Sequence, residues 1–219
     1  MILDENLEEQ ESDVPHLSDQ DIFTKIWLYP RSVFRFIVAK NYNKHVVLLL
    51  ILAGIANSFD RASEKGYWDE QDPLTVIALA LVLGAAFGWI SYYLYSALVS
   101  VSGKWLGGKS STKEILNVLA YASIPNGVAL IIIFANLMIF GSNVYTVSFD
   151  ETMLLMPMRI LYYSLILIIG VLGIYTLVLS VIGVAERQNF STGRSIANLI
   201  LAVLVLIIPL LLIVLLITS

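Results

Sequence analysis

Four stretches of this chain run without a single charged side chain: residues 74–103, 115–149, 160–185 and 195–219. A helix rises about 1.5 Å per residue, so about 20 apolar residues cross a hydrocarbon core about 30 Å thick. Each of the four stretches meets that length. A fifth, 46–59, falls short of it, and reaches it when Lys40, Lys44 and His45 extend their polar ends to the headgroups. Composition points the same way. The 219 residues are 58% hydrophobic and 14% charged, against about 25% charged in soluble domains, so water is not the main solvent of this chain. The expected fold class is all-α: a polytopic membrane protein with five transmembrane helices, at about 42–60, 74–101, 125–142, 158–184 and 195–217, plus short interfacial amphipathic helices.

The stretch 115–149 would form a helix about 52 Å long, too long for one crossing. Pro125 breaks it, with Gly127 close behind. Upstream, Ser111 and Glu114 have the spacing of a capping box, with Ser111 at the N-cap and Glu114 three residues on. This predicts a short helix over 112–123 at the membrane surface and a third span from 125; the alternative is one long helix, kinked and tilted. In the second span, Gly84-x-x-x-Gly88 offers a small-residue face for close helix packing, and Gly170 with Gly173 offers the fourth span a similar one.

Lys and Arg in short loops set orientation. Ten of the 13 fall on one side: Lys25, Arg31, Arg35, Lys40 and Lys44 before the first span, Lys104, Lys109 and Lys113 after the second, Arg187 and Arg194 after the fourth. Arg61, Lys65 and Arg159 fall on the other. Five spans with a cytoplasmic N-terminus and an external C-terminus satisfy this split, and put the acidic 60–72 loop outside. No cleavable signal sequence is expected, because the first 21 residues are acidic and polar. Residues 1–21 hold eight of the 17 acids and read as an acidic, flexible cytoplasmic tail; residues 22–219 form the membrane domain.

Between tail and first span, Ser18 and Asp21 form another capping signal, and Ile22, Phe23, Ile26 and Trp27 share a helical face. Beyond Pro30, an apolar stripe of Val33, Phe34, Phe36 and Ile37 is flanked by Arg31 and Arg35. A basic segment with Trp and Phe lies naturally in the interface plane, its cations meeting anionic headgroups. Trp27, Pro30, Arg31, Phe34, Arg35, Lys104, Trp105 and Lys109 are the candidate lipid or partner contacts at the cytoplasmic face. Tyr121, Pro125 and Asn126 are the candidate helix break or groove.

The residue types of catalysis are scarce. Cys is absent, so there is no disulfide, thiolate nucleophile or Cys-metal site. The two His lie outside the span interiors, no HExxH or GxSxG occurs, and no span interior carries Asp or Glu. No catalytic, cofactor or metal residue is expected, and no cofactor. A net charge of −4 gives no reason to expect a nucleic-acid partner. The interior polar groups, among them Tyr92, Tyr95, Asn126, Asn136, Tyr175, Thr176 and Asn198, suit helix–helix hydrogen bonds.

Four fragments together resemble one family: Trp27-x-x-Pro30-x-x-x-Phe34 before the first span, Gly103-Lys104-Trp105-Leu106-Gly107-Gly108 after the second, Tyr121-Ala122-x-Ile124-Pro125 opening the third, and the Glu186 to Ser191 turn before the fifth. Over about residues 22–215 the chain resembles the YIP domain family, the Ypt-interacting proteins, and specifically its bacterial branch. The resemblance implies a five-span membrane protein with a cytosolic N-terminus. Eukaryotic members are membrane adaptors of Rab-type GTPases carrying an Asp-Leu-Tyr-Gly-Pro type motif. This chain has Trp27-Leu28-Tyr29-Pro30 there, without the Asp and Gly, and no Rab-type GTPase partner is expected of a bacterial member. Two readings stand open: a non-catalytic scaffold or adaptor in the bacterial inner membrane, with an unidentified membrane-protein partner, or a transporter of a lipid or small neutral solute.

Overall fold

The computed structural model describes residues 16–218, so most of the acidic 1–21 tail lies outside the described residues. Nine helices follow in order, with no strand among the described residues: α1 (Asp19–Lys25), α2 (Pro30–Ala39), α3 (Val46–Glu64), α4 (Tyr67–Glu70), α5 (Pro73–Trp105), α6 (Thr112–Ala122), α7 (Ile124–Phe140), α8 (Met156–Gln188) and α9 (Thr192–Thr218). Two 3-10 turns, Ser142–Tyr145 and Glu151–Met153, join α7 to α8. Four of the helices, α3, α5, α8 and α9, are long and apolar enough to cross a membrane, and the count is five when the bent pair α6–α7 is taken as one span. The protein is therefore an all-α polytopic membrane protein.

Helix starts follow local chemistry. Ser18 Oγ accepts from the Asp21 amide at 3.2 Å while Asp21 Oδ2 accepts from the Ser18 amide at 3.0 Å, a reciprocal capping box that opens α1. Ser111 and Glu114 repeat it before α6, the Ser111 amide donating to Glu114 Oε2 at 2.8 Å. Pro30 sits in the first turn of α2, where its missing N–H costs nothing. Pro125 does the same for α7, and the axes of α6 and α7 differ by 43°.

The chain divides into two compact units. Unit 1 comprises residues 1–44, 93–119 and 179–219, and contains α1, α2, most of α6, α9 and the C-terminal ends of α5 and α8. All ten cations of the predicted cytoplasmic side belong to it. Unit 2 comprises residues 45–92 and 120–178, with α3, α4, α7 and the N-terminal parts of α5 and α8.

In unit 2, α3 packs along α7 and also makes a close crossing with α5. Gly54 of α3 meets Gly84 and Gly88 of α5; a Cβ added at Gly54 would lie 2.6 Å from Gly88 Cα, and one added at Gly84 would lie 2.6 Å from Ile55 Cα. The Gly84-x-x-x-Gly88 face thus packs against a glycine that has no motif of its own. Gly170 and Gly173 do not serve likewise: nothing lies within 4 Å of a Cβ at either. Below the crossing, Ile55, Phe59, Leu130 and Ile133 form a core closed by Trp68 of the one-turn α4. Trp68 stacks on Tyr145 with ring centroids 5.2 Å apart, and Asp69 Oδ2 accepts from the Val147 amide at 3.0 Å. The loop around α4 is therefore folded onto the unit. On the 33-residue α8, Leu167, Val171, Ile174 and Leu177 stand exposed, as lipid-facing positions must.

Candidate functional site

The eight candidate contacts at the predicted cytoplasmic face all fall in unit 1, and divide into anchors and exposed groups. Phe34 is an anchor. It is fully buried, with its ring 2.9 Å from where a Cβ of Gly183 would stand, so only glycine leaves it room. The amphipathic stripe of α2 is thus buried against protein rather than lipid. Arg35 Nε lies 4.0 Å from Glu186 Oε2 and Arg31 donates to Thr192 Oγ1 at 2.9 Å, two links from α2 to the α8–α9 turn. Pro30 and Trp27 are half-buried. On the outside remain Leu28 (78% exposed), Tyr29 (64%) and Trp105 (63%), with Lys104 and Lys109 exposed as well. Tyr29 is the N-cap residue of α2 and Trp105 the last residue of α5.

Unit 1 also holds a buried polar cluster, in which Asn198 meets the helix–helix bonding expected of it. Ser102 Oγ donates to Asn198 Oδ1 at 2.7 Å, and Ser100 Oγ donates to the Ser110 carbonyl at 2.8 Å. Ser110 Oγ in turn donates to the Arg187 carbonyl at 3.0 Å, and Arg187 pairs with Glu114. Gln188 lies between two glycines. A Cβ at Gly108 would stand 2.8 Å from its Cδ, and one at Gly103 would stand 3.0 Å from the same atom. Ser100, Ser102, Ser110, Gln188 and Asn198 are all buried. The glycines of Gly103-Lys104-Trp105-Leu106-Gly107-Gly108 thus have distinct tasks. Gly107 takes φ 87°, a backbone state costly for other residues, while Gly103 and Gly108 admit the Gln188 amide. The sequence signals for this cluster are Asn198 and the glycine spacing, and neither reveals the partner residues.

On α1, Lys25 and then Ser18 hold the Asp21 carboxyl well below the usual carboxylate range. Asp19 accepts from Tyr42 Oη at 2.6 Å and pairs with Lys44, tying α1 to the approach of the first span.

The candidate break residues lie in unit 2. Tyr121 is fully buried, its hydroxyl accepting from the His45 amide at 3.4 Å, and Pro125 is buried. Asn126 donates to Tyr92 Oη at 3.2 Å and accepts from Thr176 Oγ1 at 3.0 Å, so its one side chain links α5, α7 and α8. Among the described residues, no group of three His, Cys, Asp or Glu side chains is placed to hold a metal ion.

A sequence profile of the Yip1 domain matches residues 24–215, nearly the whole membrane portion. The chain belongs to the Yip1 domain family. The match begins inside α1 and ends within α9, so this Yip1 domain takes in both units, the anchored α2 and the glycine cradle of Gln188. No curated protein and no solved structure matches it. It is an integral membrane protein.

Proposed function

We propose that this Yip1 domain is a non-catalytic scaffold or adaptor of a bacterial inner membrane. Its working groups are the exposed Leu28 and Tyr29 ahead of α2, and Lys104, Trp105 and Lys109 at and just beyond the end of α5. The observation that carries this reading is the anchoring of α2. Phe34 in the niche of Gly183, Arg35 beside Glu186 and Arg31 on Thr192 fix the segment, so the apolar groups still exposed are presented on a rigid base. Exposed aromatic and basic groups on a fixed support are what a protein partner or an anionic headgroup recognises. The cation split supports a cytoplasmic N-terminus and this face in the cytoplasm, with residues 60–72 outside.

The transport alternative calls for a path between the second, third and fourth spans. The Tyr92–Asn126–Thr176 hydrogen bonds join those spans at the level of the predicted break, which favours the scaffold reading. A photo-crosslinking residue at Tyr29 or Trp105, in native membranes, should capture a distinct protein that the same residue at Ile174 does not. Recovery of lipid alone from all three positions refutes the scaffold. Lipid-scrambling or solute-flux rates above those of protein-free vesicles would favour the alternative. Because the chain has no native Cys, orientation is open to single-cysteine labelling. In intact cells an impermeant maleimide should label Glu70→Cys and not Lys109→Cys.

A further inference from the structure

Unit 2 contains a groove of about 260 Å³ between α3 and α5, with α4 at one end. Its two ends differ in chemistry. At the α4 end stand Arg61 and Lys65, one helical turn apart and both exposed, the Lys65 ammonium 6.0 Å from the centre of the Tyr67 ring. Deeper in, one wall is formed by Leu79, Leu83 and Phe87, whose side chains are about half exposed. Five carboxylates crowd residues 60–72 (Asp60, Glu64, Asp69, Glu70 and Asp72), yet none lines the groove. Neither Arg61 nor Lys65 has an ion pair among the described residues. The loop is acidic and the groove mouth is cationic.

We infer that this groove binds one anionic phospholipid, its phosphate between Arg61 and Lys65 and an acyl chain along Leu79, Leu83 and Phe87. Two features select this occupant. The apolar wall belongs to a membrane-spanning helix, so whatever enters must join an anion to hydrocarbon, which an acidic peptide or a free phosphate does not. The length also fits. From Lys65 down to Gly54, the deepest α3 residue of the lining, is about 16 Å of helix, or half of a hydrocarbon core about 30 Å thick. On α5 the lining runs from Val76 to Ser91, about 22 Å, so an acyl chain entering at the 60–72 loop is followed through half to three-quarters of the core. Its volume lies just below the range of about 300–1,000 Å³ typical of small-molecule sites, which suits part of one acyl chain with the rest of the lipid left in the bilayer. None of the residues of the proposed docking face is involved, so failure of either reading leaves the other standing.

The test uses the full chain in phosphatidylcholine vesicles, with Phe87→Trp as reporter and small amounts of lipid brominated in the acyl chain. Brominated phosphatidylglycerol should quench the added fluorescence more strongly than brominated phosphatidylcholine at equal mole fraction. Arg61→Gln and Lys65→Gln should each weaken that preference about fivefold, the usual worth of one cation near an anionic lipid surface. Native mass spectrometry of the unaltered chain supplies a second readout. Phosphatidylglycerol should survive detergent exchange as a one-to-one adduct, and soluble glycerol phosphate should not displace it. Equal quenching by the two lipids, a preference that survives loss of both cations, or displacement by glycerol phosphate would each overturn the assignment.

Discussion

Gly54→Ala isolates the close crossing of α3 and α5 in unit 2. The added methyl carbon would lie 2.6 Å from Gly88 Cα and also run into the Gly84 carbonyl oxygen. Non-bonded carbons settle at about 3.5–4.0 Å, so α3 and α5 must separate by about 1 Å. Both obstacles are helical backbone, which cannot rotate aside as a side chain can. Overpacking of this kind costs about 1–3 kcal/mol, and rigid neighbours on both sides place this case near the upper end, about 3 kcal/mol. Alanine returns about 1 kcal/mol of helix propensity over glycine, leaving a net loss of about 2 kcal/mol. For a chain of this length that is a fall in unfolding midpoint of about 4–8 °C. Thermal unfolding in a mild detergent, followed by tryptophan fluorescence, measures it. Gly170→Ala is the control: with nothing within 4 Å of its Cβ it keeps the propensity gain alone, and its midpoint should hold or rise. If Gly54→Ala and Gly170→Ala unfold together, the close crossing is not what stabilises this unit. A Gly54→Ala/Gly88→Ala double variant should lose less than the sum, because helices already parted do not clash twice.

Three further outcomes follow from the polar sites. Gly108→Ala should lower the unfolding midpoint, since its methyl would displace the Gln188 amide. Gln188→Met should raise it, because both amide atoms of Gln188 are buried without a hydrogen-bond partner among the described residues and such a group costs about 1–3 kcal/mol. Asn126→Leu should cost about 1 kcal/mol in the same assay, the usual worth of an interhelical hydrogen bond in a bilayer, by cutting α7 from Tyr92 and Thr176. At the N-terminus, the depressed Asp21 pKa means that its cap stabilises α1 fully above the ordinary Asp value of about 3.9 and is lost only as pH falls through the lower folded value. The protection factors of the α1 amides, which take out the base-catalysed intrinsic rate, should therefore be unchanged by pH down to about 4 in the native chain, and smaller at neutral pH in Asp21→Asn.

The features legible in the sequence are those governed by near neighbours or by the solvent. A bilayer demands long runs without charge, so α5, α8 and α9 could be read directly. Capping boxes need only Ser18 with Asp21, or Ser111 with Glu114, and both were visible. Packing partners were not. Gly84-x-x-x-Gly88 shows that a helix comes close but not which one, and Gly170 with Gly173 shows the same kind of signal at a position where no helix comes. The stripe of α2 announced a buried face, yet a period of 3.6 is the same whether Phe34 meets lipid or Gly183. The Ser102–Asn198 bond joins residues 96 apart, and no local pattern reports it.

One feature of the bundle bears on the membrane itself. The 17 residues of α7 extend about 26 Å, several ångströms less than an average hydrocarbon core. A short helix makes the lipids beside it thin or the helix ends stretch to the interface, at a fraction of a kcal/mol per ångström. That mismatch vanishes where the bilayer is already thin. Where α7 crosses without α6, such a helix favours thin regions of membrane, an influence on its surroundings that requires no bound partner.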